Sequence, residues 1–221
     1  GSVTATEFIG DGSQLTNLSV SSPFSLNDTS GNGIQSQSST ASGSSSRALG
    51  TQTTASGDNS TAMGYETTAS GLGSTAMGRR TIASGVYSTA IGSGTEASNY
   101  DSTAMGFYTT ASGLGSTAMG SYTTASDYGS TVIGQYNSSG SSATSADSFS
   151  TSAPVFVIGN GTDSSNKSDA FKVMFNGDAT VSNDLTVSGD VVISSDARLK
   201  SNIVSLGSTL SKLLQIDGKS Y

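Results

Sequence analysis

The chain has 221 residues and a formal net charge of −7, and only 11% of it is charged, against about a quarter in an ordinary globular domain. It contains no Cys, His or Trp. A disulfide framework, a thiolate metal site, and the commonest metal ligand and general base are therefore all missing. Negative charge without a basic stripe argues against a nucleic-acid or anionic-membrane surface, and no apolar run approaches the roughly 18 residues of a membrane span.

Residues 1–37 read as a short strand-turn unit and a connector. Gly1-Ser2 looks like a cloning remnant, so a secretion signal and a shaft are expected upstream of it. Val3 to Ile9 is a predicted strand, Gly10-Asp11-Gly12 a turn, and Leu15 to Leu18 a second apolar phrase. The turn lacks the spaced carboxylates and terminal Glu of a calcium loop and is read as a plain turn. A polar connector follows over residues 21–37.

Residues 38–140 carry a repeat. Gly50, Gly64, Gly78, Gly92, Gly106, Gly120 and Gly134 are spaced 14 apart, and each closes a phrase such as Ser60-Thr61-Ala62-Met63-Gly64. A second column, Ala41, Ala55, Ala69, Ala83, Ala97, Ala111 and Ala125, keeps the same register, each followed by Ser. A composition rich in Ser, Thr and Gly taken alone would suggest disorder, but disordered tracts do not hold Ala, Met and Gly in step. Fourteen residues is too short for a helical hairpin or a propeller blade and suits one coil of a β-solenoid with two short strands. At ~4.8 Å per strand, seven coils span about 34 Å.

The period of two along a strand puts Thr61 and Met63 on one face and Ala62 on the other, so one face is apolar and the other small. Both faces are expected to be buried. The glycine needs a positive φ or a close backbone approach. So small a core cannot offset the ordering of a coil, so an obligate homo-oligomer of closed symmetry is expected, with neighbouring rolls covering the small face. Arg47, Asn99 and Asp127 depart from the repeat, and beyond Gln135 it fades into Ser138 to Ser142; these positions mark ends or irregular turns.

Two further columns run beside the turns. Tyr108, Tyr122 and Tyr136 share one, with Tyr65 and Phe107 one position earlier in their own repeats; Leu72, Val86, Tyr100, Leu114 and Tyr128 form the other. Aromatic rows among Ser, Thr and Asn suit sugar faces, and the alternative is packing between chains. The tyrosine column, with Tyr65 and Phe107, is the candidate ligand site. No carboxylate pair sits as a glycosidase would need, since Glu66 and Glu96 are isolated and Asp58, Asp101 and Asp127 fall in turns. No activity on an external substrate, no cofactor and no metal are expected.

Residues 141–193 change texture to ordinary strands and hairpins. Pro154 to Ile158, Ala170 to Phe175 and Leu185 to Ile193 are apolar runs, and Asn176-Gly177-Asp178 is a hairpin signal. Three copies of such a hairpin are expected to wrap into a β-prism. In residues 194–221, Ile203, Leu206, Leu210, Leu213 and Leu214 share one helical face that ends at Asp217-Gly218.

The repeat resembles the head of trimeric autotransporter adhesins of the YadA type. That resemblance implies an all-β, homotrimeric, left-handed parallel β-roll, exposed on a cell surface or in an extracellular fibre, whose partners are its own copies and a glycan or protein of a target cell. Residues 3–20 are similar to segments of bacterial and phage fibre proteins. Ser194 to Ile203 resembles the start of the endosialidase-type intramolecular chaperone, peptidase S74. It implies Ser195 as nucleophile, Lys200 as base and Ser194-Ser195 as the bond cut; a lysine can serve as base once burial lowers its pKa. A helix cap with a solvated lysine is the plain alternative. Only 27 residues run from Ser195 to Tyr221, so the pair is expected to be inert in this chain and active in a longer one. An adhesin tip, a phage tail fibre segment in a virion tail and a passive spacer remain as readings.

Overall fold

A computed structural model describes residues 24–27, 33–36 and 38–190. The chain divides into two units, residues 1–184 and 185–221. The described part of the second, residues 185–190, carries neither strand nor helix. The predicted strand-turn unit at residues 3–20 and the C-terminal helix lie outside the described residues.

The described part of the first unit is all strand and turn. β1 (Phe24–Asn27) and β2 (Gly33–Ser36) form an antiparallel pair, and β3 (Ser38–Ala41) and β4 (Arg47–Ala55) begin the stack. Long rungs follow at β5 (Thr61–Tyr65), β7 (Thr75–Arg79), β9 (Thr89–Ser93), β11 (Thr103–Phe107), β13 (Thr117–Ser121) and β15 (Thr131–Gln135). Short rungs alternate with them at β6 (Thr68–Ala69), β8 (Ile82–Ala83), β10 (Glu96–Ala97), β12 (Thr110–Ala111) and β14 (Thr124–Ala125). Pairing is parallel and keeps the 14-residue register, for example Ala62↔Ala76 and Ala69↔Ala83. The expected β-solenoid of about seven coils is the observed fold.

Closing the coil decides which face is inside. Ala48, Ala62, Ala76, Ala90, Ala104 and Ala118 continue into Val132 and Val157, face the second alanine column across the interior, and are fully buried. Beside them lie columns of buried serine (Ser46 to Ser130) and threonine (Thr53 to Thr123), most of whose hydroxyls find no protein partner. The largest buried side chains are the two valines. Such a core gains little from apolar burial, and the coil-to-coil backbone ladder carries the structure, as in Thr61 N–H to the Ser74 carbonyl at 2.9 Å and Ser70 N–H to the Ala83 carbonyl at 2.9 Å.

One expectation is corrected here. The small face lines the interior of its own roll and needs no neighbouring chain; the outward face is the other one, where Leu49, Met63, Met77, Met105, Met119 and Ile133 lie half-buried and Ile91 is 37% exposed.

The stack continues past the point where the repeat fades. β16 (Pro154–Asn160) pairs in parallel with β15, so Val157-Ile158-Gly159 lies against Val132-Ile133-Gly134 as a further rung reached by a detour. β17 (Asp169–Met174) and β18 (Ala179–Val181) extend the sheet antiparallel, and Asn176-Gly177-Asp178 makes the hairpin turn between them.

Candidate functional site

The tyrosine column is built by the turn that follows each long rung. Its last residue takes a positive φ in coil after coil: 53° at Glu66 and Arg80, 50° at Tyr108, 53° at Tyr122 and 42° at Tyr136. A repeated backbone path throws equivalent side chains one above another at the strand spacing. The aromatic members therefore stack, Tyr108 on Tyr122 with ring centroids 5.2 Å apart and planes 7° from parallel, and Tyr122 on Tyr136 at 4.7 Å and 8°. Phe107 stands nearly perpendicular to Tyr108 and Tyr122 at 4.7 and 5.4 Å. The Tyr108 ring lies over Gly94, where any Cβ would stand 2.8 Å from ring carbons.

Towards the N-terminal end the same column turns ionic. The Arg80 Nε donates to Glu66 Oε2 at 2.6 Å. The Tyr65 hydroxyl first, and Arg80 second, hold the Glu66 carboxyl below its ordinary range, and Glu66 in turn raises the Tyr65 phenol. At the other end, burial, and then Tyr122 and Asp163, raise the Tyr136 phenol. Tyr65 and Tyr136 thus remain protonated hydrogen-bond donors in neutral water.

Tyr65, Phe107 and Tyr108 are 40 to 45% exposed. Tyr122 has a ring on each face and is still 38% exposed, so what it offers to solvent is its rim and hydroxyl. The sequence spacing put Tyr108, Tyr122 and Tyr136 in one column, with Tyr65 and Phe107 one position earlier, but contained no signal that the rings would occupy each other's faces.

The second column has a different fate at its C-terminal end. The detour after β15 returns across it: the Leu114 and Tyr128 amides donate to the Ala146 and Ser145 carbonyls, both at 2.8 Å. Asp127 is fully buried and its Oδ1 accepts the Thr144 and Ser145 amides at 2.6 and 2.7 Å. The Asn99 amide donates to Asp147 Oδ1 at 2.7 Å. Asn99 and Asp127, which stand where other coils carry Gly57, Gly71, Gly85 and Gly113 after the Ala-Ser pair, are thus docking points for the detour, and their departure from the pattern was the signal. Leu72 and Tyr100 stay 41 and 44% exposed.

Asn137 closes the interior threonine column. Its amide group accepts from the Thr124 amide and donates to the Thr124 carbonyl, both at 2.8 Å, and so imitates the next strand.

This coil is similar to that of a YadA head. Residues 35–57, 55–81, 83–109 and 111–137 match the YadA head domain repeat (2 copies). The YadA-like match ends at Asn137, the residue that caps the short-rung ladder. No curated protein matches the chain. Together the matches and the solenoid support a YadA-like β-roll adhesin head over residues 35–137. Ser195 and Lys200 lie outside the described residues. Among the described residues, no three His, Cys, Asp or Glu side chains gather as a metal site.

Proposed function

We propose that this chain is the head segment of a homotrimeric surface fibre that adheres to a target cell through a glycan. The observation that carries the reading is the outward apolar row, Leu49, Met63, Met77, Ile91, Met105, Met119 and Ile133, running along a roll whose interior holds little but alanine, serine and threonine. An apolar row of that length left in water invites aggregation, and threefold packing of identical rolls covers it. The similarity to the YadA head domain repeat supports the same assembly.

The ligand surface is assigned to the turn column, with Tyr65 and Phe107 offering exposed ring surface and Tyr108, Tyr122 and Tyr136 offering rims and hydroxyls. Exposed aromatics beside polar donors are what a sugar needs. The β16–β18 hairpins of three copies form the expected prism, and the Ser195–Lys200 pair matures the full-length fibre by cutting at Ser194-Ser195. The fibre acts by binding and has no external substrate.

Three measurements test this. Sedimentation should give a trimer that Met77→Glu with Met105→Glu takes apart; a stable folded monomer of the unaltered chain would remove the assembly. Glycan-array binding should be lost in Tyr65→Ala with Phe107→Ala while the trimer persists; unchanged binding would remove the surface. Mass spectrometry of a longer chain should show a break before Ser195.

A further inference from the structure

Where the last rung gives way to the meander, the sheet leaves an open hollow of about 420 Å³ lined only by polar side chains, among them Ser138, Asn160, Lys167, Asp169, Lys172 and Thr180. Ligand pockets of this size are usually mostly apolar with a few polar groups. No apolar side chain is among the residues lining this one, so it suits a ligand rich in polar groups.

Its charge is uneven. Asp169 spends both carboxylate oxygens on backbone, accepting the Ser138 amide at 2.8 Å and the Ser139 amide at 2.9 Å. Among the described residues Lys167 and Lys172 have no ion-pair partner, and the ion pair is Arg80 with Glu66. Two unpaired ammonium groups thus line one hollow in a chain of net charge −7. Register places Lys172 between Val157 and Thr180 of the flanking strands, so its stem is held by the sheet, and Lys167 adjoins Ser168, whose amide donates to the Tyr136 carbonyl at 3.1 Å.

We infer that this hollow binds an acidic monosaccharide unit, its carboxylate on Lys167 and Lys172 and its hydroxyls on the Ser, Thr and Asn lining. Hydroxyl and amide groups in number match a polyol, and the paired lysines select for the negative charge. The inference rests on a glycan as the ligand class but uses none of the aromatic column, so either site can fail without the other.

The test is ligand-observed NMR on the whole chain with glucuronate, N-acetylneuraminate, galactose and sodium sulfate as separate probes. The acidic sugars should bind, and galactose and sulfate at least ten times more weakly. Lys167→Gln with Lys172→Gln should weaken the acidic sugars at least tenfold at unchanged melting temperature and assembly mass, and Lys172→Arg should keep binding within threefold. Sulfate binding as well as glucuronate would make this a site for free anions and overturn the saccharide. Binding indifferent to the double change, or a double change that alters the assembly, would overturn the site.

Discussion

A Cβ added to Gly78 would stand 2.0 Å from the carbonyl oxygen of Gly92 on the next coil. Gly64 meets Gly78 in the same way at 1.9 Å, and φ along this column runs from 121° to 137° between Gly50 and Gly120. Both reasons for glycine, the left-handed half of the backbone map and the close approach of a neighbour, therefore act at one atom. Gly78→Ala should cost about 3 kcal/mol or more, since backbone strain and a clash with rigid backbone add. Denaturant unfolding will check it against Ser84→Ala on the exposed surface, which should change stability by less than about 0.5 kcal/mol.

Asn137→Ala should cost roughly 2 kcal/mol or more, because it leaves the Thr124 amide and carbonyl without the partners they now have at the end of the ladder. Hydrogen exchange should localise the loss to the Thr124 amide and its neighbours. A uniform loss over the whole roll would contradict the capping role.

Tyr122→Ala removes two ring stacks at once, to Tyr108 and to Tyr136. A loss of about 1–3 kcal/mol is expected from aromatic pairs worth roughly 0.5–1.5 kcal/mol each. Tyr122→Phe should restore stability, because the stack needs the ring and not the hydroxyl. Melting temperature and near-ultraviolet dichroism will separate the two variants.

The Tyr65–Glu66–Arg80 group gives two pH windows. Glu66 is depressed below its ordinary 4.5 in the folded chain, so its contribution is whole above that value and is lost as the pH falls through the depressed one. Tyr65 is raised above 10.0, so its contribution is whole below that value and is lost as the pH rises through the raised one. The group is exposed and the effect small. The melting-temperature gap between the unaltered chain and Glu66→Gln should be constant near neutrality and close at both ends; a gap that persists at pH about 2 would contradict the pairing.

Much of the fold was legible because each coil repeats the same local demands. The column from Gly50 to Gly134 announced the turn path, and Asn176-Gly177-Asp178 announced its hairpin. The rung Val157-Ile158-Gly159 was hidden, although it repeats Val132-Ile133-Gly134, because the detour displaces it from the 14-residue period. Of the candidate site, the column of Tyr108, Tyr122 and Tyr136 could be read by counting, while the stacking of their rings could not.

The sequence by itself determined a β-solenoid with 14-residue coils and two chemically distinct faces, because period two along a strand and period 14 between strands are properties of residue order alone. Only the tertiary structure decided which face is inside. Closing a coil around a narrow interior admits Ala62 and excludes Met63, a choice made by the space within the roll, which no run of residues contains. The same closure set Tyr122 between two rings and brought Lys167 and Lys172 to one hollow.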